Sequence, residues 1–180
     1  MFNENNKTIL ILGGARSGKS SFAQELASIH QGKVLFLATA EPLDNEMARR
    51  IESHKNSRPA EWDTVEEQRN IAEVLEIIAD KYDVVVIDCI TILVSNHFGE
   101  NTPLETVEHI VKKEITILIE LLSHMQSNYI IVSNEVGCGL VPDNALSRTY
   151  RDMLGYANQQ LAKCANEVYL MTAGLKIKIK

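Results

Sequence analysis

Gly13-Gly14-Ala15-Arg16-Ser17-Gly18-Lys19-Ser20 decides how this chain folds. It fits G-x-x-x-x-G-K-[ST], a loop whose glycines let backbone N–H groups close on phosphate oxygens. What surrounds the loop counts for more than the pattern. Thr8-Ile9-Leu10-Ile11-Leu12 precedes it, a short apolar run rich in β-branched residues that predicts a buried parallel strand. Phe22, Leu26 and Ile29 follow at helical spacing, with Ala23 and Ala27 beside them. Strand, loop and helix N-terminus in that order are what phosphate binding needs, because the helix dipole and its free N–H groups point at the anion. Lys19 is then placed for the β- and γ-phosphates and Ser20 for Mg²⁺. Arg16 and Ser17 lie inside the loop without being fixed by the pattern.

Further along, Val84-Val85-Val86-Ile87-Asp88 is a run of apolar β-formers ending in an acid. Alone it is a weak signal. After a phosphate loop it predicts the carboxylate that holds Mg²⁺ directly or through water. Other buried strands are expected at Val34-Leu35-Phe36-Leu37-Ala38 and Tyr129-Ile130-Ile131-Val132. The first exits through Thr39-Ala40-Glu41-Pro42 and the second through Ser133-Asn134-Glu135, at the strand ends where open α/β sheets put their ligands. Ser133, Asn134 and Glu135 read equally well as ligand-edge residues and as caps of the turn around Gly137 and Gly139. Glu61 to Glu66 predicts a short edge segment.

Helices alternate with these strands. Asp44 is the expected N-cap of a helix through Met47, Ile51 and His54. Ile71, Val74, Leu75 and Ile78 mark an amphipathic helix, and Cys89 to Asn96 another. Thr102-Pro103-Leu104-Glu105 predicts a cap at Thr102, a first helical position at Pro103 and a capping box closed by Glu105. That helix carries Val107, Val111, Ile115, Leu118 and Leu122 on one face. Leu146, Tyr150, Met153, Ala157 and Leu161 mark one more. Val168 to Met171 and Leu175 to Ile179 predict a closing hairpin across Ala173-Gly174, its lysines guarding a solvated edge.

The 180 residues fit one domain, 1–180, with a sizeable core. Apolar residues at 45% and charged residues at 23% are those of an ordinary soluble protein. A net charge of −6 gives no nucleic-acid footprint. Met1 to Lys7 is polar and lacks the apolar stretch of a signal peptide, and no run is long enough to span a bilayer, so the cytoplasm is expected. Cys89, Cys138 and Cys164 have neither disulfide nor metal spacing. His30, His97, His109 and His124 are scattered and read as structural or surface residues. His54 sits with Lys55 and Arg58 at a helix end, which on spacing alone reads as a solvated basic terminus complementing the dipole.

The residues therefore predict an α/β fold with a mainly parallel sheet that binds a nucleoside triphosphate with Mg²⁺. No Asn-Lys-x-Asp guanine-reading motif of a GTPase switch is present. A compact chain of this kind suits a small-molecule transferase.

Several stretches, in order and over nearly the whole chain, resemble one family. They are the loop Gly13 to Ser20, Arg50-Ile51-Glu52-Ser53-His54-Lys55, Arg58-Pro59-Ala60-x-Trp62, Asp88-Cys89-Ile90-Thr91, Ser133-Asn134-Glu135-Val136-Gly137 and Gly174-Leu175-Lys176-Ile177-Lys178. The family is the bifunctional adenosylcobinamide kinase/adenosylcobinamide-phosphate guanylyltransferase of cobalamin biosynthesis. The resemblance implies a P-loop NTPase fold, RecA-like, and two reactions. ATP or GTP phosphorylates a hydroxyl of adenosylcobinamide; GTP then donates GMP to that phosphate through a guanylylated histidine, releasing pyrophosphate. By position that histidine is His54, with Lys19 as its catalytic partner. The resemblance also places nucleotide contacts on Gly13, Gly14, Ala15, Arg16, Ser17, Gly18, Lys19 and Ser20, on Ala38, Thr39 and Ala40, on Lys55, Asn56, Ser57 and Arg58, and on Glu66 and Asp88. Ser20 and Asp88 would hold Mg²⁺. A homo-oligomer is implied, with a trimer as the expected size. Two other readings compete: a kinase using the loop alone, which has no need of a nucleophilic histidine, and a nucleotide-dependent regulatory protein, which would not turn over adenosylcobinamide.

Overall fold

In the computed structural model, residues 6–30, 32–42, 44–56, 58–99 and 101–180 are described. Seven strands form one sheet in the order β3-β2-β4-β5-β1-β6-β7. They are β1 Thr8–Gly13, β2 Val34–Ala38, β3 Asp63–Glu66, β4 Val84–Asp88, β5 Asn128–Val132, β6 Glu167–Thr172 and β7 Leu175–Lys178. All pairings are parallel except β6 with β7. The helices are α1 Lys19–Ile29, α2 Asn45–Asn56, α3 Ile71–Ile78, α4 Ile90–Ser95, α5 Leu104–His124 and α6 Ala145–Cys164, with a single 3-10 turn at Ala79–Lys81 after α3. This is the expected P-loop NTPase fold, RecA-like: β5 lies between the strand that feeds the loop and the strand that ends in the acid.

The inner strands read as unbroken apolar runs because both sheet faces are covered. Alternate residues go to opposite sides. Ile9, Ile11, Val84, Val86, Ile130 and Val132 pack with Phe22, Ala23, Leu26 and Ala27 of α1 and with Trp62. Leu10, Val85, Ile87, Tyr129 and Ile131 pack under α3, α4, α5 and α6. One acid lies inside this second layer. Glu114 of α5 accepts the Ile71 N–H at the start of α3 and pairs with His97, which gives both groups partners where water does not reach.

The cap expected at Asp44 holds, and a second, not expected from the sequence, forms at Asn144. Asp44 Oδ1 accepts the Met47 N–H at 2.7 Å, and Asn144 Oδ1 accepts the Ser147 N–H at 2.8 Å. Three local expectations fail. At α5 the N-cap is Pro103, with no side-chain cap; the Thr102 N–H instead turns back to the Gly99 carbonyl, so the helix starts one residue later than the capping box requires. Ile29 ends α1 exposed, because the buried stripe of that helix is Phe22, Ala23, Leu26 and Ala27. Leu146 also lies exposed on α6.

The closing hairpin forms with Ala173 and Gly174 both at positive φ, the two-residue turn that suits strand twist. Every residue of β7 is exposed, the lysines included, as the guarding of a solvated edge requires. Lys176 lies 4.6 Å over the Phe22 ring and Lys178 lies 5.9 Å over the Tyr169 ring, so the lysine stems cover the body of the protein. Leu175, Ile177 and Ile179 face outward, 72%, 53% and 61% exposed. The Gly174 N–H donates to the Ser17 carbonyl at 3.0 Å, which braces the hairpin turn against the phosphate loop.

Candidate functional site

The loop turns where side chains would not fit. Gly13 has φ +150, and a Cβ there would sit 2.4 Å from the Met171 carbonyl of β6. Gly18 has φ +97 and lies against Gly174. Between them the chain winds over the C-terminal end of β1 and enters α1 at Lys19, leaving the N–H groups of the first helical turn free for an anion. Lys19 is 8% exposed; its Nζ donates to the Gly14 carbonyl at 2.6 Å. Burial lowers its pKa, while the electrostatic influence of Cys89 and Asp88 raises it. A buried ammonium held by a carbonyl of its own loop is placed to turn to a phosphate when one arrives.

Asp88 stands on the floor of the same cavity, at the end of β4. Burial raises its carboxyl above the ordinary carboxylate value; a hydrogen bond from Ser20 and the nearby His54, Arg58 and Lys19 act in the opposite direction. Arg58 lies 3.7 Å over the Phe36 ring, and its Nε and Nη1 are buried with no partner among the described residues. Burial lowers its pKa, countered by Asp88 and Glu66. A stacked guanidinium with unsatisfied donors is a ready anion clamp.

A cavity of about 640 Å³ joins these groups. Ala15, Arg16, Ser17, Gly18, Lys19 and Ser20 line one side, with Ala38, Ala40, His54, Arg58, Glu66 and Asp88 around it. His54 is carried there by α2, whose Met47, Ile51 and Ser53 also line the wall. The helix end read from spacing as a solvated basic terminus thus faces the phosphate loop. Lys55 of α2 forms an ion pair with Glu66 at the end of β3, which ties the helix to the sheet edge.

Some expected contacts do not line the cavity. Gly13, buried at the end of β1, and Gly14, exposed at the start of the loop, are not in its lining. Thr39 is fully buried, its hydroxyl donating to the Cys89 carbonyl and accepting the Cys89 N–H, so it splints the end of β2 to the residue after β4. Lys55 and Asn56 are exposed beside the cavity. Ser57 lies outside the described residues. Ser21, Cys89, Ile92, Val132 and Asn134 line the cavity without having been singled out as contacts. For Asn134 the signal was present, as a polar strand exit. Of the two readings left open there, Asn134 takes the ligand edge and Glu135 takes the turn, accepting the Gly137 N–H.

The arrangement supplies backbone donors, two cations, a carboxylate with a hydroxyl beside it, and an imidazole, all about one cavity. That is equipment for moving a phosphoryl or nucleotidyl group.

Comparison with known proteins agrees. The sequence model of the family described as cobinamide kinase / cobinamide phosphate guanyltransferase matches residues 9–179. The bifunctional adenosylcobalamin biosynthesis protein CobU of Escherichia coli is 41% identical over 180 residues, covering 96% of this chain and 99% of that protein. The CobU of Salmonella typhimurium is likewise 41% identical, with the same coverage. CobP of Pseudomonas aeruginosa, also named as bifunctional, is 39% identical over 171 residues, covering 95% and 96%. Among solved structures, the flagellar accessory protein FlaH from Methanocaldococcus jannaschii superposes with a TM-score of 0.55 over 98% of this chain and 79% of that one; at 14% identity this is a likeness of fold alone. With a match that runs from the first strand through the last, the chain belongs to the cobinamide kinase / cobinamide phosphate guanyltransferase family.

Proposed function

We propose that this protein phosphorylates adenosylcobinamide with ATP or GTP and then transfers GMP from GTP to adenosylcobinamide phosphate through a guanylylated His54, giving adenosylcobinamide-GDP and pyrophosphate. The observation that carries this reading is the meeting of His54 with the phosphate loop and Asp88 at one cavity. A kinase that used the loop alone would have no need of an imidazole there.

In the guanylyl step the unprotonated imidazole attacks the α-phosphorus, a P–N bond forms, and the bond to the β-phosphate oxygen breaks. Lys19 and the loop N–H groups take the charge of the departing pyrophosphate, and Arg58 neutralises the α-phosphoryl oxygens. The phosphate of the acceptor then attacks the same phosphorus and frees His54. In the kinase step the acceptor hydroxyl takes the γ-phosphoryl and the nucleoside diphosphate leaves.

Mg²⁺ fits the site. Ser20 and Asp88, both lining the cavity, offer two hard oxygens. Among the described residues no group of three or more His, Cys, Asp or Glu forms a metal cage, so this pair would share the ion with phosphate oxygens and water, as Mg²⁺ commonly requires. When bound, the ion supplies charge neutralisation on the triphosphate.

The test is incubation with α-labelled GTP and Mg²⁺ followed by denaturation. Covalent label is expected; γ-labelled GTP should leave none. Absence of α-label under turnover conditions would leave the kinase alone.

Asp88→Asn is expected to separate stability from activity. Its folded carboxyl is raised above its unfolded value. It therefore favours the fold most at low pH and less as pH rises from the ordinary carboxylate range through the raised value. At pH 7.5 the nucleotide-free Asn variant should melt higher than the parent, the gap narrowing on acidification. Turnover should fall about 100-fold or more, with a weaker response to Mg²⁺, because an amide does not neutralise a cation. Melting curves across pH and Mg²⁺ titrations check both; an unchanged titration would make Asp88 a strand terminator only.

The outward row Leu175, Ile177 and Ile179 on an edge strand supports self-association, with the trimer as the proposed assembly. Sedimentation at micromolar concentration should give three protomers. No helix among the described residues is long and apolar enough to cross a membrane, and we place the protein in the cytoplasm.

A further inference from the structure

We propose that Asn134 is the residue that aligns the acceptor hydroxyl in the kinase step; this rests on the function proposed above. Three observations carry it.

The first is position. β5 lies between β1, which feeds the phosphate loop, and β4, which ends in Asp88. Whatever follows β5 therefore emerges between the two groups that handle the phosphates. Asn134 lies just past that strand and lines the cavity. The Glu135 N–H next to it donates to the Gly13 carbonyl at 3.1 Å, which fixes the height of this segment against the loop.

The second is rigidity. The Asn134 N–H donates to Thr91 Oγ1 at 2.6 Å, and its carbonyl accepts from Asn158 Nδ2 at 2.9 Å. Asn158 is itself fixed, its Oδ1 accepting from the Ser133 hydroxyl at 2.6 Å. Thr91, Ser133 and Asn158 are all buried. A strand end held by three buried polar side chains from α4, α6 and its own chain is far more than a turn needs. It is what a side chain held in one place needs.

The third is chemistry. Lys19 and Arg58 suit phosphate oxygens, and Asp88 with Ser20 suits a cation. With nucleotide bound, each of them is engaged by phosphate or by the ion. The Asn134 amide is left for a neutral alcohol, because its Oδ1 accepts from an O–H while its Nδ2 donates to a phosphoryl oxygen. It has no hydrogen-bond partner among the described residues that would compete. In the step itself the acceptor oxygen forms the new P–O bond at the γ-phosphorus, the bond to the β-phosphate oxygen breaks, and the electrons leave with the nucleoside diphosphate. The hydroxyl proton passes to a phosphoryl oxygen and then to water. Asn134 neither gains nor loses a proton; it sets the angle of attack.

Guanylylation of His54 involves no acceptor, and that separates this role from nucleotide binding. In the full-length protein, Asn134→Ala and Asn134→Gln should lower kcat for adenosylcobinamide phosphorylation by about 100-fold. The KM for nucleotide and acceptor-free labelling by α-labelled GTP should stay within about twofold, since that contact is made only with acceptor present. Thr91 acts through Asn134 as a positioning residue. Thr91→Val should cost about tenfold in kcat, and Thr91→Ser, which restores the oxygen, should recover most of it. The Gln variant keeps an amide and differs by one methylene, so it reports on the role should the Ala variant fail to fold. Phosphorylation at the parental rate in the Gln variant overturns the inference. So does acceptor-free labelling that falls in parallel with phosphorylation, which would make Asn134 a nucleotide contact. Parental protein that fails to phosphorylate adenosylcobinamide overturns the function on which the inference rests.

Discussion

Lys19→Ala should abolish nearly all turnover in both reactions, by about 100- to 1,000-fold in each, while leaving the fold intact. The two reactions break different anhydride bonds of the triphosphate, but both develop charge on oxygens that the loop holds, and Lys19 is the cation buried within that loop. Its loss removes charge stabilisation that no neighbour replaces, since the Arg58 guanidinium is held stacked on the Phe36 ring. The effect on stability should be small. Burial already disfavours the charged form of Lys19, and its interaction in the nucleotide-free protein is with a carbonyl of its own loop. A melting temperature within a few degrees of the parent, together with both activities lost, is the expected result. Loss of one activity alone would mean that the two reactions do not share the loop.

The phosphate loop and the acid of β4 were legible because each depends on local sequence. A short apolar run that ends in a turn or an acid has one good structural use when helices cover both faces of the sheet. The alternation of strands and helices then left little choice of topology. What was not legible depends on which surface meets which. In Leu175 to Ile179 the alternation declares two faces but not which one meets protein; the rings of Phe22 and Tyr169 decide for the lysines. Thr102 had every feature of a cap, yet its N–H is used in the Gly99 turn. Asn158 is a polar residue in mid-helix with nothing in its spacing to mark it, and only its hydrogen bonds to Ser133 and Asn134 show that it holds the segment after β5. Thr39 was expected at the ligand edge from its strand position, and only the structure shows its hydroxyl bonded to the Cys89 backbone.

His54 shows the same boundary between local and tertiary information. Nothing in the spacing of α2 distinguishes it from a solvated helix end; the resemblance marked it, and its place beside Asp88 at the cavity supports the assignment. His54→Ala is therefore expected to abolish covalent labelling by α-labelled GTP and with it all guanylyl transfer, a loss to the limit of detection, because a methyl group forms no P–N bond. The parental label should be acid-labile and alkali-stable, as a phosphoramidate is. Phosphorylation of adenosylcobinamide should survive, since moving the γ-phosphoryl to a hydroxyl needs alignment and charge stabilisation and no imidazole nucleophile. The remaining histidines provide the control. His30→Ala, His109→Ala and His124→Ala should each label as the parent does. His97 pairs with Glu114 inside the core, so His97→Ala should lose stability yet still label while folded. Uptake of α-label by His54→Ala would show that the nucleophile is another residue. Loss of phosphorylation together with labelling would show that α2 organises the whole cavity through Lys55 and Glu66, and a melting curve taken alongside separates that from simple unfolding.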